Sequence, residues 1–92
     1  MVTSIVLINA QHGKINDVAQ ALAEMPEFTE VYSVGGSYDL VGIMRVANNE
    51  DIATLVTEKM NQVNGIEQTE TMIAFKTYSQ HDLEGLFSIG ME

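Results

Sequence analysis

Two stretches of this 92-residue chain, 2–8 and 38–46, are apolar on both of the faces a strand presents. Successive side chains of a strand point to opposite sides. In the first stretch Ile5 and Leu7 fall on one side, and Val2, Val6 and Ile8 on the other. In the second, Leu40, Met44 and Val46 oppose Val41 and Ile43. A sheet with one face in water alternates apolar and polar residues. Strands of this kind therefore need cover from both sides, and whatever the chain folds into must supply it.

The other apolar positions supply one side. Within 14–25, Ile15, Val18, Ala19 and Leu22 recur at i, i+3, i+4 and i+7, one face of a helix that Pro26 ends by withholding a donor and restricting Met25. Residues 28–34 read as a second strand and 38–46 as a third. Asn48 and Asn49 suit the cap of a second helix whose face is Ile52, Leu55, Val56, Met60 and Val63, with Gly65 as its stop. A fourth strand begins at Ile66 or Gln68 and runs to Tyr78. The order β-α-β-β-α-β is a weak internal repeat of two βα units, each followed by a strand. With right-handed crossovers it predicts an α+β, ferredoxin-like sandwich: a four-stranded antiparallel sheet with two helices on one face. Residues 1–78 make this domain. The tail, 79–92, carries Leu83, Leu86, Phe87 and Ile89 and is expected to form a short amphipathic turn against the domain or a neighbouring subunit. Two helices cover only one face, so the second is expected to meet another subunit, at about 25 cal/mol per Å² of apolar area buried.

Composition narrows the functions. Thirteen acidic residues against four basic ones (Lys14, Arg45, Lys59 and Lys76) leave a net charge of −9. Four scattered cations cannot make the basic patch that direct binding of DNA or RNA needs. The absence of cysteine removes disulfides, thiolate metal sites and cysteine nucleophiles. The start, Met1-Val2-Thr3-Ser4, has no basic leader region, and no apolar run approaches a membrane span, so a cytoplasmic protein is expected. His12 and His81 lack companions at metal-ligand spacing, and no metal or cofactor is expected. Glu24, Glu27, Glu30, Glu50, Asp51 and Glu58 read as solvated faces, with Glu50 and Asp51 at the favourable end of a helix dipole. Met25, Met44 and Met60 fit core positions.

Two motifs stand out. Val34-Gly35-Gly36-Ser37-Tyr38-Asp39-Leu40 joins the second and third strands. Its glycines can take positive φ and admit a backbone or small ligand closely, while Asp39 can meet an ammonium group. The same run also suits an ordinary hairpin turn with a solvated acid. About thirty residues on, Thr69-Glu70-Thr71 puts two hydroxyls on one side of a strand and Glu70 on the other. The hydroxyls can serve a polar ligand, although threonine is also favoured in strands on steric grounds.

At these residues the chain resembles the effector-binding domain of the Lrp/AsnC transcription regulators, the RAM domain. The resemblance spans about 2–78 and rests on the element order, on Gly36-Ser37-Tyr38-Asp39, and on Gly65-Ile66-Glu67-Gln68-Thr69-Glu70-Thr71. It implies homodimers packed through their sheets, assembly into a ring of dimers, and a free amino acid or small metabolite held between dimers. Val34, Gly36, Ser37, Tyr38 and Asp39 would line that pocket. Asp39 would take the α-ammonium, backbone groups of Gly36 or Ser37 the carboxylate, and Thr69 and Thr71 would complete the polar wall. Family regulators place a helix-turn-helix before this domain, and this sequence begins directly at the first strand. The expectation is a stand-alone, non-enzymatic sensing module that reaches transcription through a partner such as a full-length relative.

Two rival readings differ in kind. Small dimeric ferredoxin-like folds also resemble monooxygenases and haem-binding enzymes, for which Asn9 and His12 are the candidates near a strand end. A purely structural assembly module would use the glycine turn as a contact and bind nothing.

Overall fold

The structure, a computed structural model, describes residues 1–78, so the expected tail at 79–92 lies outside the described residues. Strand β1 (Val2–Ala10) leads to helix α1 (Ile15–Ala23), followed by β2 (Phe28–Ser33), β3 (Leu40–Val46), α2 (Asn49–Thr54) and β4 (Ile66–Ala74). The strands form one four-stranded antiparallel sheet in the order β2-β3-β1-β4. This is the expected α+β topology.

The two apolar faces of β1 and β3 have different fates. Val6, Ile8, Leu40 and Met44 are fully buried against Val18 and Leu22 of α1 and Leu55, just beyond α2. Ser4 is the one buried polar residue in that layer, and its hydroxyl donates to the Met72 carbonyl at 2.9 Å. On the other side Ile5, Leu7, Val41 and Ile43 are only half-buried, and Tyr32 and Met72 are exposed. No helix among the described residues covers that face.

Element ends depart from the expected ones for identifiable reasons. β3 starts at Leu40 rather than Tyr38, because Asp39 closes the turn: its carbonyl accepts from Val34 N–H at 3.0 Å. β4 stops at Ala74 rather than Tyr78, because its partner β1 runs out where Thr3 pairs with Ala74. α1 ends at Ala23, short of Met25, whose N–H bonds three residues back to Leu22. The second helix is not uniform. Asn48 caps α2 by accepting from Asp51 N–H at 3.0 Å, as expected. The helix then widens into a π-helical turn (Leu55–Lys59) and tightens into a 3₁₀ turn (Met60–Gln62). In a regular α-helix Leu55 and Met60 would point about 140° apart. The wider turn, in which Met60 N–H bonds to the Leu55 carbonyl, lets both reach the core.

Gly65 then reverses the chain. Its φ is +106°, and a Cβ there would lie 2.9 Å from Lys14 Cβ, so both the left-handed backbone and the close approach of α1 call for glycine.

Candidate functional site

Asp39 sits where β1 and β3 diverge, and it is held from several sides. Its N–H points to the Ile8 carbonyl at 3.0 Å and to Asn9 Oδ1 at 3.2 Å. Its carboxylate Oδ2 accepts from the backbone N–H of Ala10 at 3.0 Å. Oδ1 makes no hydrogen bond among the described residues. Beside Ala10 the β1–β4 register shifts: Asn9 pairs with Gln68 but Ala10 with Ile66, leaving Glu67 as the bulged residue. One carboxylate oxygen therefore holds the turn, and the other has no hydrogen-bond partner among the described residues.

Tyr38 is half-buried, and its hydroxyl lies 3.5 Å from Glu70 Oε1, a long contact that carries it across the end of β1 to β4. Gly36 adopts φ +122°, and Val34, Gly36 and Ser37 are exposed at the tip of the turn.

Register decides where the rest of the expected site lies. Thr69 pairs with Ile8 and Thr71 with Val6, which puts both threonines on the helix-covered side of the sheet. Glu70 pairs with Leu7, on the bare side. Within one chain the turn residues and Glu70 are therefore brought together, whereas Thr69 and Thr71 face away from them. Thr69 instead lines a cleft of about 190 Å³ between the end of the second helix and β4, with Met60, Asn61, Ile66 and Gln68.

Three groups that the structure puts beside Asp39 and Tyr38 are not among the site residues expected from sequence. Glu70 was legible, since alternation alone opposes it to its threonine neighbours. Asn9 reads from sequence only as an enzymatic candidate, and its part in holding Asp39 depends on strand pairing. The Ala10 N–H carries no sequence signal, because it is a backbone group whose availability follows from local register.

A second charged site lies at the far end of β3. Glu27, expected on a solvated face, instead accepts from Lys59 Nζ at 2.5 Å. Together with Pro26, Arg45, Asp51 and Thr54 these residues border a cleft of about 430 Å³. The Lys59 hydrogen bond holds the Glu27 carboxyl below the usual carboxylate value, against an opposing effect of desolvation. Among the described residues there is no group of three or more His, Cys, Asp or Glu able to hold a metal ion, and no helix long and apolar enough to cross a membrane.

Known proteins of the same architecture place this arrangement in context. A family model described as the Lrp/AsnC ligand binding domain matches residues 3–83. The transcriptional regulator FL11 of Pyrococcus horikoshii is 36% identical over 75 residues, covering 82% of this chain and 49% of FL11. The chain thus spans about half the length of the curated relatives it matches. The crystal structure of TTHA0845 from Thermus thermophilus superposes with a TM-score of 0.82 at 39% identity, over 87% of this chain and all (100%) of that one. AsnC of E. coli has the same fold, with a TM-score of 0.80 at 19% identity over 86% of this chain and 54% of AsnC. The chain belongs to the Lrp/AsnC ligand binding domain family.

Proposed function

We propose that this chain is an amino-acid-sensing module of a transcription-regulating system, and that it binds a free amino acid at the contact between dimers. The observation that carries this reading is Asp39: the bonds to Ile8, Asn9, Ala10 and Val34 fix its position, and one carboxylate oxygen stays without a partner among the described residues. A preorganised acid beside a glycine with φ +122° suits the ammonium and carboxylate ends of an amino acid. Two structures of this fold support the ligand class: NMB0573 of Neisseria meningitidis and the Mycobacterium tuberculosis feast or famine regulatory protein were solved with L-methionine.

Assembly completes the site. The bare sheet face bearing Ile5, Leu7, Val41 and Ile43 pairs with a second copy, and dimers then meet at the Val34–Asp39 turn. Thr69 and Thr71, directed away from their own turn, come to the ligand from a neighbouring chain. A ligand that touches two dimers favours the assembled form. The chain acts by binding rather than by catalysis. Against the enzymatic reading, Asn9 is engaged in holding Asp39 N–H, and His12 is exposed in the turn before α1.

Native mass spectrometry and calorimetry with a panel of free amino acids test this function. A binder should shift the population toward larger assemblies, and Asp39→Asn should weaken binding about tenfold or more. If every amino acid leaves both heat and assembly unchanged, the sensing function is wrong and the structural assembly module takes its place.

A further inference from the structure

Two opposite charges lie on the bare face of the sheet, one toward each end of β1. Arg45 stands on β3 opposite Thr3, and Glu70 on β4 opposite Leu7. Thr3, Ile5 and Leu7 alternate onto one side of β1, so both charges share the face of Ile5. Both are exposed in the single chain. They stand two strand spacings and four residues apart, roughly 16 Å, too far to pair with each other.

A second copy packed on this face takes both groups out of water, and each then needs an opposite charge. The neighbouring charges are engaged elsewhere. Arg45 reaches the rim of the Glu27 cleft, but the ion pair found there among the described residues is Lys59–Glu27. Lys76 lies over the Tyr78 ring, and Lys14 packs beside Gly65. Glu30 accepts from the Tyr32 hydroxyl, and Asp39 from Ala10 N–H. Glu70 has only the long contact to the Tyr38 hydroxyl, at 3.5 Å.

Register relates the two charges to one point. Ile5 pairs with Ile43, two residues from Arg45, and with Met72, two residues from Glu70. The two offsets run in opposite directions along the strands, so Ile5 is the midpoint of the diagonal from Arg45 to Glu70. A twofold axis lying in the face, through Ile5 and perpendicular to that diagonal, exchanges the two positions. An isologous interface makes each such contact twice. The strands of the two sheets then cross closer to a right angle than to parallel.

We propose that the sheet-to-sheet dimer is registered by two reciprocal ion pairs, Arg45 of each chain with Glu70 of the partner subunit, about an axis at Ile5. This rests on the bare face being the dimer contact. The apolar side chains drive association, and the pairs select one arrangement, because a slipped or rotated sheet strands two charges of each chain.

Charge reversal tests the pairing. Arg45→Glu or Glu70→Arg alone sets like charges together at both contacts, and each should raise the dimer dissociation constant about tenfold or more. Mixed in equal amounts, the two variants are complementary at both contacts. Native mass spectrometry should then show the heterodimer well above either homodimer, with affinity near that of the parent. Random mixing, or variants that each dimerise as the parent does, overturns the pairing and leaves a dimer on this face. The neutral changes Arg45→Gln and Glu70→Gln form a second, milder test. Their effects on dimer affinity should be less than additive, and additive effects overturn the pairing. If Ile5→Lys leaves the dimer intact, the bare face is not the contact and the pairing falls with it.

Discussion

The Asp39 carboxylate accepts the backbone N–H of Ala10 at 3.0 Å, across the point where β1 and β3 separate. That bond uses a negative charge to satisfy a donor next to a bulge, and it fixes the turn that carries Tyr38. The same side chain is thus a structural clamp through Oδ2 and a candidate ligand through Oδ1. Substitutions that differ in how they treat those two roles will separate them.

Asp39→Ala removes both. Hydrogen bonds to charged groups contribute about 1.5–3 kcal/mol. Because Asp39 is half-exposed, the lower end applies. At about 4–8 °C per kcal/mol for a domain of this size, the melting temperature should fall by roughly 6–12 °C. Asp39→Asn retains an acceptor for Ala10 N–H and should melt close to the parent while losing amino-acid affinity. Thermal melts beside calorimetry check the pair. If Asn destabilises as much as Ala, the charge is part of the clamp.

Gly42, at the centre of β3, lies under the Phe28 ring, and a Cβ there would fall 2.5 Å from Phe28 Cε1 and 2.8 Å from Cδ1. Phe28 is 6% exposed and has little room to retreat. Gly42→Ala should cost about 1–3 kcal/mol by overpacking, read as a lower urea midpoint at unchanged slope. A smaller residue at 28 should restore part of it, so that Gly42→Ala with Phe28→Leu is less than additive.

The Glu27–Lys59 pair predicts an acid-side dependence. Its folded-state carboxyl lies below the ordinary value of 4.5, so the unfolded chain takes up the proton first as pH falls. The stabilisation is complete above that value and is lost as pH drops through the folded one. With the two side chains 22% and 46% exposed, the pair should contribute no more than about 1 kcal/mol, less at high salt. Urea midpoints measured from about pH 6 down to about pH 3 should show a shallower acid-side loss in Lys59→Met than in the parent.

Ile5 pairs with Ile43 on one side and Met72 on the other, at the middle of the bare face. Ile5→Lys places a charge where a second sheet would pack, at little cost to the layer beneath the helices. Sedimentation velocity should show a shift to monomer, with far-ultraviolet circular dichroism unchanged. An intact dimer would move the subunit contact to another surface.

The element order and the buried row were legible because both follow from side-chain periodicity. The spacing of Ile15, Val18 and Leu22, and the alternation of Val6 and Ile8 against Ile5 and Leu7, state locally which positions want cover. The same local rule made Asn48 readable as a cap, since its acceptor meets an N–H three residues on. It could not reveal the π-helical turn at Leu55–Lys59, where the demand of the sheet for both Leu55 and Met60 overrode helical regularity.

The sequence by itself determined that two apolar faces would form, that two helices could cover only one, and that a glycine turn would present an acid. Only the tertiary structure decided that Thr69 and Thr71 face the helices while Glu70 faces outward. It also decided that Asp39 is clamped by Ala10, and that Glu27 finds Lys59. The physical reason is range. Alternation is set residue by residue, whereas register is set by pairing strands as far apart in sequence as those that bring Ser4 opposite Ile73. A shift of one residue in that pairing exchanges the faces of every side chain on the strand.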